Sequence, residues 1–112
     1  MADMILRGEN MKEYYVYEHM CPDKSLYIGM TENIKKRWDY GNGYRNQEKF
    51  YSKIKEYGWN NIDHLIIGIY DTKEEAKKQE YESIMSAIAL GQEVLNTQKV
   101  KETKCLLESN IY

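Results

Sequence analysis

The sequence predicts an α+β domain: a small, mostly antiparallel three-stranded β-sheet flanked by helices, in the order β-β-α-α-β-α. Three observations carry this. Two short stretches with alternating side chains, 14–20 and 25–30, flank a turn at Pro22-Asp23. Apolar residues then recur twice at helical spacing before a β-branched run at 64–70. A capping box at Thr72 opens a long final helix.

Each element has its own signal. Residues 1–12 show no clean period and read as an N-terminal arm, with Met11 a second candidate start of the compact part. In the first strand Tyr15, Tyr17 and His19 share one face, and Val16 and Glu18 the other. Proline fixes φ and aspartate bonds its own backbone, so Cys21 to Lys24 reads as a tight hairpin turn. The second strand puts Tyr27 and Gly29 on one face and Leu26, Ile28 and Met30 on the other. Thr31 is the expected N-cap of a helix from Glu32, with Ile34 and Trp38 as its apolar face and Arg37 beside it. Gly41-Asn42-Gly43 is expected to end that helix. Phe50, Ile54 and Tyr57 at i, i+4, i+7 predict a second helix over 48–57, stopped by Gly58. His64 to Tyr70 is almost continuously apolar and reads as a buried strand. Thr72 and Glu75 open a helix through Ala89, with Ala76, Glu80, Ile84 and Ile88 along one stripe, and Gly91 ends it. A carboxylate on that stripe must face a cleft, a partner or a cation, because burying it alone is costly. Val94 to Asn96 read as a short return to the core. Residues 99–112, with Leu106, Leu107 and Ile111, read as a small docked helix or a loose tail.

Size and charge narrow the classes. A chain of 112 residues favours one domain and buries about two-thirds of its unfolded surface, enough for a core without staples. Cys21 and Cys105 allow one pair but no disulfide framework, and with the two histidines they lack zinc-ligand spacing. No signal peptide or membrane-length apolar run is visible, so the expectation is a cytoplasmic protein with no membrane partner. Net charge is −2, against a surface basic throughout. Residues 31–60 nevertheless hold seven basic and four acidic side chains, a local excess that suits an anion-facing surface or a solvated helix face. Eleven tyrosines against one phenylalanine favour a polar, stacking or catalytic surface over a purely apolar core.

With these residues in place the chain resembles the GIY-YIG nuclease superfamily from about Tyr14 to Asn96. Tyr15-Val16-Tyr17 stands for the first triplet and Tyr27-Ile28-Gly29 matches the second, the motif tyrosines ten residues apart. Arg37 follows Gly29 by eight residues, Glu80 fits the metal-binding glutamate of the last helix, and Asn96 fits the asparagine after it. Gly68-Ile69-Tyr70 is a literal GIY, but it follows the second triplet and is read as coincidence. The resemblance implies a GIY-YIG-like catalytic domain over 13–98, between the 1–12 arm and the 99–112 tail.

It also implies a metal-dependent endonuclease hydrolysing DNA, with RNA as the other substrate class. Tyr17, Tyr27, Arg37 and Glu80 are the implied catalytic residues. Glu80 would hold one Mg2+ or Mn2+, and Arg37 offers a fixed charge and planar fork to phosphate oxygens. Tyr17 would act as general base or orient the water, a base role needing a cation nearby because a free tyrosine titrates near 10. Gly29 and Asn96 are supporting candidates, the first for close backbone approach and the second as a tether of the C-terminal turn. Many members carry a histidine four residues after the arginine, where this chain has Gly41. Tyr40, Tyr44 and His19 are the candidates to take its part. Lys35, Lys36, Arg45, Lys49 and Lys53 are the expected nucleic-acid-binding residues, with Arg45 and Lys49 flanking the cleft. A separate DNA-reading module does not fit in the chain, so low specificity, a homodimer or a specificity partner would follow. The alternative is a module that keeps the fold and binds nucleic acid or protein without cutting. A third reading is a structural oligomerisation domain with the tyrosine faces as its interface.

Overall fold

The computed structural model describes residues 12–96. Expectations for 1–11 and 97–112, including Met11, Cys105 and the apolar Leu106, Leu107 and Ile111, lie outside these residues. Strands β1 (Tyr14–Met20) and β2 (Leu26–Thr31) form the predicted antiparallel hairpin. Its turn closes through Lys24 N–H to Cys21 C=O at 2.8 Å, with the Asp23 carboxylate accepting from Ser25 N–H at 3.0 Å. Strand β3 (Asp63–Tyr70) pairs antiparallel with β1, giving the order β2-β1-β3. A bulge between Val16 and Tyr17 interrupts that second ladder.

Alternation along β1 and β2 divides the core into two clusters, one for each face of the sheet. Tyr17 and Tyr27 pack with Tyr44, Phe50, Ile54 and Ile62. Val16, Leu26 and Ile28 pack with Ala76, Ile84 and Ala87. Helix α1 (Ile34–Trp38) and helix α2 (Glu48–Tyr57) supply the first side, and helix α3 (Lys73–Ala89) the second. After α3, the Leu26 N–H donates to Glu93 C=O at 2.9 Å and the Leu95 N–H to Leu26 C=O at 2.7 Å. This is the expected return to the core, and Leu95 is buried. No helix of the described residues is long and apolar enough to cross a membrane.

Four local expectations need correction. Thr31 does not cap α1, because it stays in the ladder opposite Tyr15. The cap is Asn33, whose side chain accepts from Lys36 N–H at 3.0 Å, while Thr31 Oγ1 accepts from Asn33 N–H at 3.1 Å. The helix ends before Gly41: Asp39 and Tyr40 already have φ of 39° and 54°, inside a 3-10 segment, Asp39–Tyr44. Strand β3 is not buried. It pairs only with β1 among the described residues, and Leu65, Ile66, Ile67 and Ile69 are exposed. A continuous apolar run cannot tell an edge strand from a central one. On α3 the buried stripe is Ala76, Glu80, Ile84 and Ala87, with Ile88 turned outward.

Candidate active site

The site begins with the pairing of Tyr17 and Gly29 across β1 and β2. The Tyr17 ring lies over the glycine so closely that a Cβ there would stand 2.6 Å from Tyr17 Cζ. Tyr27 sits on the same sheet face, and both tyrosines are buried. Arg37 reaches them from α1. Its Nε donates to Tyr17 Oη at 3.2 Å, one terminal nitrogen to Tyr27 Oη at 3.1 Å, and the other to Gly43 C=O at 2.8 Å. The guanidinium also lies 4.5 Å from the centroid of the Tyr44 ring. A guanidinium has five N–H donors, so its fork holds the tyrosines and keeps donors for a phosphate oxygen.

Tyr17, Tyr27, Arg37 and Glu80 line one cleft of about 210 Å³, with Gly29, Met30 and Gln47. Glu80 is 5% exposed, so α3 delivers a nearly buried carboxylate to the tyrosine pair, as its stripe position predicts. Burial pushes the Tyr17 hydroxyl up, against the opposing pull of Tyr44 and Arg37. Burial, then the neighbouring Tyr17, pushes Tyr27 up to about 12. Both rings are therefore neutral hydroxyls near neutral pH, held by a cation that favours their anions.

The donor set fits one hard cation bound mainly by water and substrate. Among the described residues no group of three or more His, Cys, Asp or Glu could hold a metal ion. One carboxylate suits Mg2+, which keeps several waters and takes one or two carboxylates plus phosphate oxygens.

Behind the cleft lies a cluster that the sequence only partly disclosed. His19 is fully buried, with Nε2 2.6 Å from Tyr44 Oη and Nδ1 2.8 Å from His64 Nδ1. His64 Nε2 is 2.9 Å from the Trp59 carbonyl oxygen. Phe50 stacks on His19 at 5.1 Å, and Trp59 stacks on His64 at 3.9 Å. Burial, then His64 and Arg37, pushes His19 down to about 2. Tyr44 and His19 thus stand behind the tyrosine pair, whereas Tyr40 is 80% exposed. Gly41 has φ of +95°, and a Cβ there would stand 2.9 Å from Ile54 Cγ2. A histidine has no room at this position, whereas Tyr44 lies against both His19 and Arg37.

Asn96 clamps the far strand of the hairpin. Its Oδ1 accepts from Ile28 N–H at 3.0 Å and its Nδ2 donates to the Ile28 carbonyl. The basic residues divide. Lys36 shares a depression beside the cleft with Arg37, Asn33 and Gly43. Lys49 and Lys53 line a separate depression with Glu93 and Leu95, and Lys53 pairs with Asp23 at 2.7 Å. Arg45 and Lys49 do not line the cleft itself. Lys35 is exposed on α1.

The hairpin with its two tyrosines, the arginine from the next helix and the glutamate from the last thus meet at one cleft, on a fold of the kind found in a nuclease superfamily. The chain belongs to the GIY-YIG family: the profile of the GIY-YIG catalytic domain matches residues 13–86. It is also similar to the UPF0213 protein SSP2268 of Staphylococcus saprophyticus, 37% identical over 73 residues, 64% of this chain and 80% of that protein. The UPF0213 protein SA0446 of Staphylococcus aureus strain N315 is 36% identical over 73 residues, with the same shares covered. No solved structure matches the chain.

Proposed function

We propose that this protein is an endonuclease that hydrolyses DNA phosphodiester bonds with one divalent cation, Mg2+ or Mn2+, held by Glu80. The observation that carries the reading is the convergence of Tyr17, Tyr27, Arg37 and Glu80 on one small cleft. Such a cation, when bound, supplies charge neutralisation and a Lewis acid for the leaving oxygen. Arg37 offers its remaining N–H groups to a non-bridging phosphate oxygen while holding both tyrosines. Tyr17 orients the attacking water through its hydroxyl, and Tyr27 fixes the substrate from the adjacent strand. The basic α1 surface at Lys35 and Lys36 follows the nucleic-acid backbone.

The test is incubation of plasmid and single-stranded DNA with Mg2+, Mn2+ or EDTA, beside a Glu80→Ala variant. Cleavage that needs the metal and Glu80 supports the reading. If wild type and variant behave alike in every metal, it is lost. Salt-sensitive DNA binding without cleavage would point to a binding module.

A further inference from the structure

We infer that Gln47 is a further catalytic residue of the cleft: its side-chain carbonyl accepts a hydrogen bond from the attacking water, beside Tyr17. This rests on the nuclease reading of the same site.

Its position in the fold is unusual for a glutamine. Gln47 stands immediately before α2, where Ser, Thr, Asp or Asn is preferred because a short polar side chain caps the first backbone N–H groups. The Gln47 side chain makes no such capping bond. Its backbone is nevertheless held on both sides. The Gln47 N–H donates to Tyr44 C=O at 2.9 Å, and the Tyr51 N–H donates to Gln47 C=O at 2.8 Å. The Arg37 guanidinium lies over the Tyr44 ring, so the backbone of Gln47 is tied to the arginine of the site. The side chain is half-buried, lines the cleft with Arg37 and Glu80, and makes no hydrogen bond to another described residue. A local preference set aside at the wall of a cleft is where function is expected to outweigh capping.

The chemistry follows from what the other lining groups have left to offer. A water is fixed with a lone pair towards phosphorus when both of its hydrogens are held, which takes two acceptors. Tyr17 Oη and Tyr27 Oη each accept from Arg37, at 3.2 and 3.1 Å, and keep one lone pair apiece. Glu80 is the cation's ligand in this reading, and Gly29 and Met30 bring no side-chain oxygen. The His19 and His64 imidazoles do not line the cleft. The Gln47 carbonyl keeps both lone pairs and is neutral, so it does not repel the phosphate. Its amide NH2 offers a donor to a non-bridging phosphate oxygen. Glutamine orients the attacking water in other phosphoryl-transfer sites for the same reasons. A cleft of about 210 Å³ lies below the ~300 Å³ at which small-ligand pockets begin, which suits a phosphate with its water rather than a nucleobase. In the step itself the water oxygen bonds to phosphorus while the bond from phosphorus to the leaving sugar oxygen breaks. The water releases one proton to solvent, and the leaving oxygen takes one from solvent. A carboxamide is too weak a base to take that proton, so Gln47 orients the water and stays unchanged.

The experiment is single-turnover plasmid cleavage in Mg2+, at several enzyme concentrations, for wild type, Gln47→Met, Gln47→Ser and a Glu80→Gln control. Methionine keeps the length of the side chain and removes its carbonyl. Serine removes the carbonyl and can cap α2, so this variant should melt no lower than wild type. Both Gln47 variants are expected to lose about tenfold or more in the maximal cleavage rate, with little change in the enzyme concentration that gives half of it. If Gln47→Ser melts lower than wild type, the rate of Gln47→Met decides. A wild-type maximal rate in Gln47→Met, or a loss confined to the half-saturating concentration, would overturn the water-holding role. Cleavage that fails in Glu80→Gln but survives in Gln47→Met sinks this inference and leaves the nuclease reading standing. A wild type that cuts nothing overturns both.

Discussion

Tyr17 and Gly29 face each other across the hairpin, and the glycine has no side chain because the tyrosine ring occupies that space. The two family triplets are therefore one packing unit: the last letter of the second makes room for the last letter of the first. Gly29→Ala forces the Tyr17 hydroxyl away from Arg37 and is expected to cost about 1–3 kcal/mol of stability. Cleavage should fall further than stability does, since Tyr17 is displaced even where the protein remains folded. Urea unfolding and plasmid nicking on the same preparation check both.

Asn96 is expected to be structural. Asn96→Ala leaves the N–H and C=O of Ile28 without their buried partner, at a cost of roughly 2–3 kcal/mol. Chemical denaturation measures this directly. The folded fraction of the variant should retain metal-dependent cleavage, because Asn96 does not line the cleft.

The buried histidine sets a pH dependence of stability. His19 has its folded pKa pushed down to about 2 from an ordinary 6.5, chiefly by burial, so the unfolded chain binds more protons between these values. Stability from this group is fully present above 6.5 and falls by about 1.4 kcal/mol per pH unit below it. His64 is shifted the same way. Unfolding free energy should therefore drop by about 2 kcal/mol or more between pH 6.5 and pH 5, above the range where ordinary carboxylates titrate. A flat profile across that window would show that the histidines are not held neutral.

The split among the basic residues predicts unequal effects on DNA affinity. Lys36 lies beside Arg37, whereas Lys53 is engaged with Asp23 at 2.7 Å. Lys36→Ala should weaken binding uniformly across sequences and reduce the salt slope by about one. Lys53→Ala should change it less. Titrations at several salt concentrations separate the two.

Much of this site is legible in the sequence because local rules place it. Alternation puts Tyr17, Tyr27 and Gly29 on one sheet face, and helical spacing puts Glu80 on the inward stripe of α3. The capping box fixes where that helix starts, and the Thr72 side chain accepts from Glu75 N–H at 3.2 Å. What local rules miss is set by tertiary pairing. His64 begins an apolar run whose period does not reveal a face. It meets His19 only through the β1–β3 register, which carries a bulge between Val16 and Tyr17. The reversal of the chain at Asp39 and Tyr40 has no sequence signal either, since neither is a glycine. That turn packs Gly41 against Ile54 and brings Tyr44 to the histidine.

Glu80 and Glu82 give the sharpest test of the central claim, that the cleft is a hydrolytic centre completed by α3. They lie two residues apart on one helix, Glu80 buried at the cleft and Glu82 exposed. Single-turnover cleavage of supercoiled plasmid in Mg2+ should be measured for wild type, Glu80→Gln and Glu82→Gln. The account predicts that Glu82→Gln cuts like wild type, while Glu80→Gln loses about a hundredfold or more with its fold intact. Equal cleavage by both variants would contradict it.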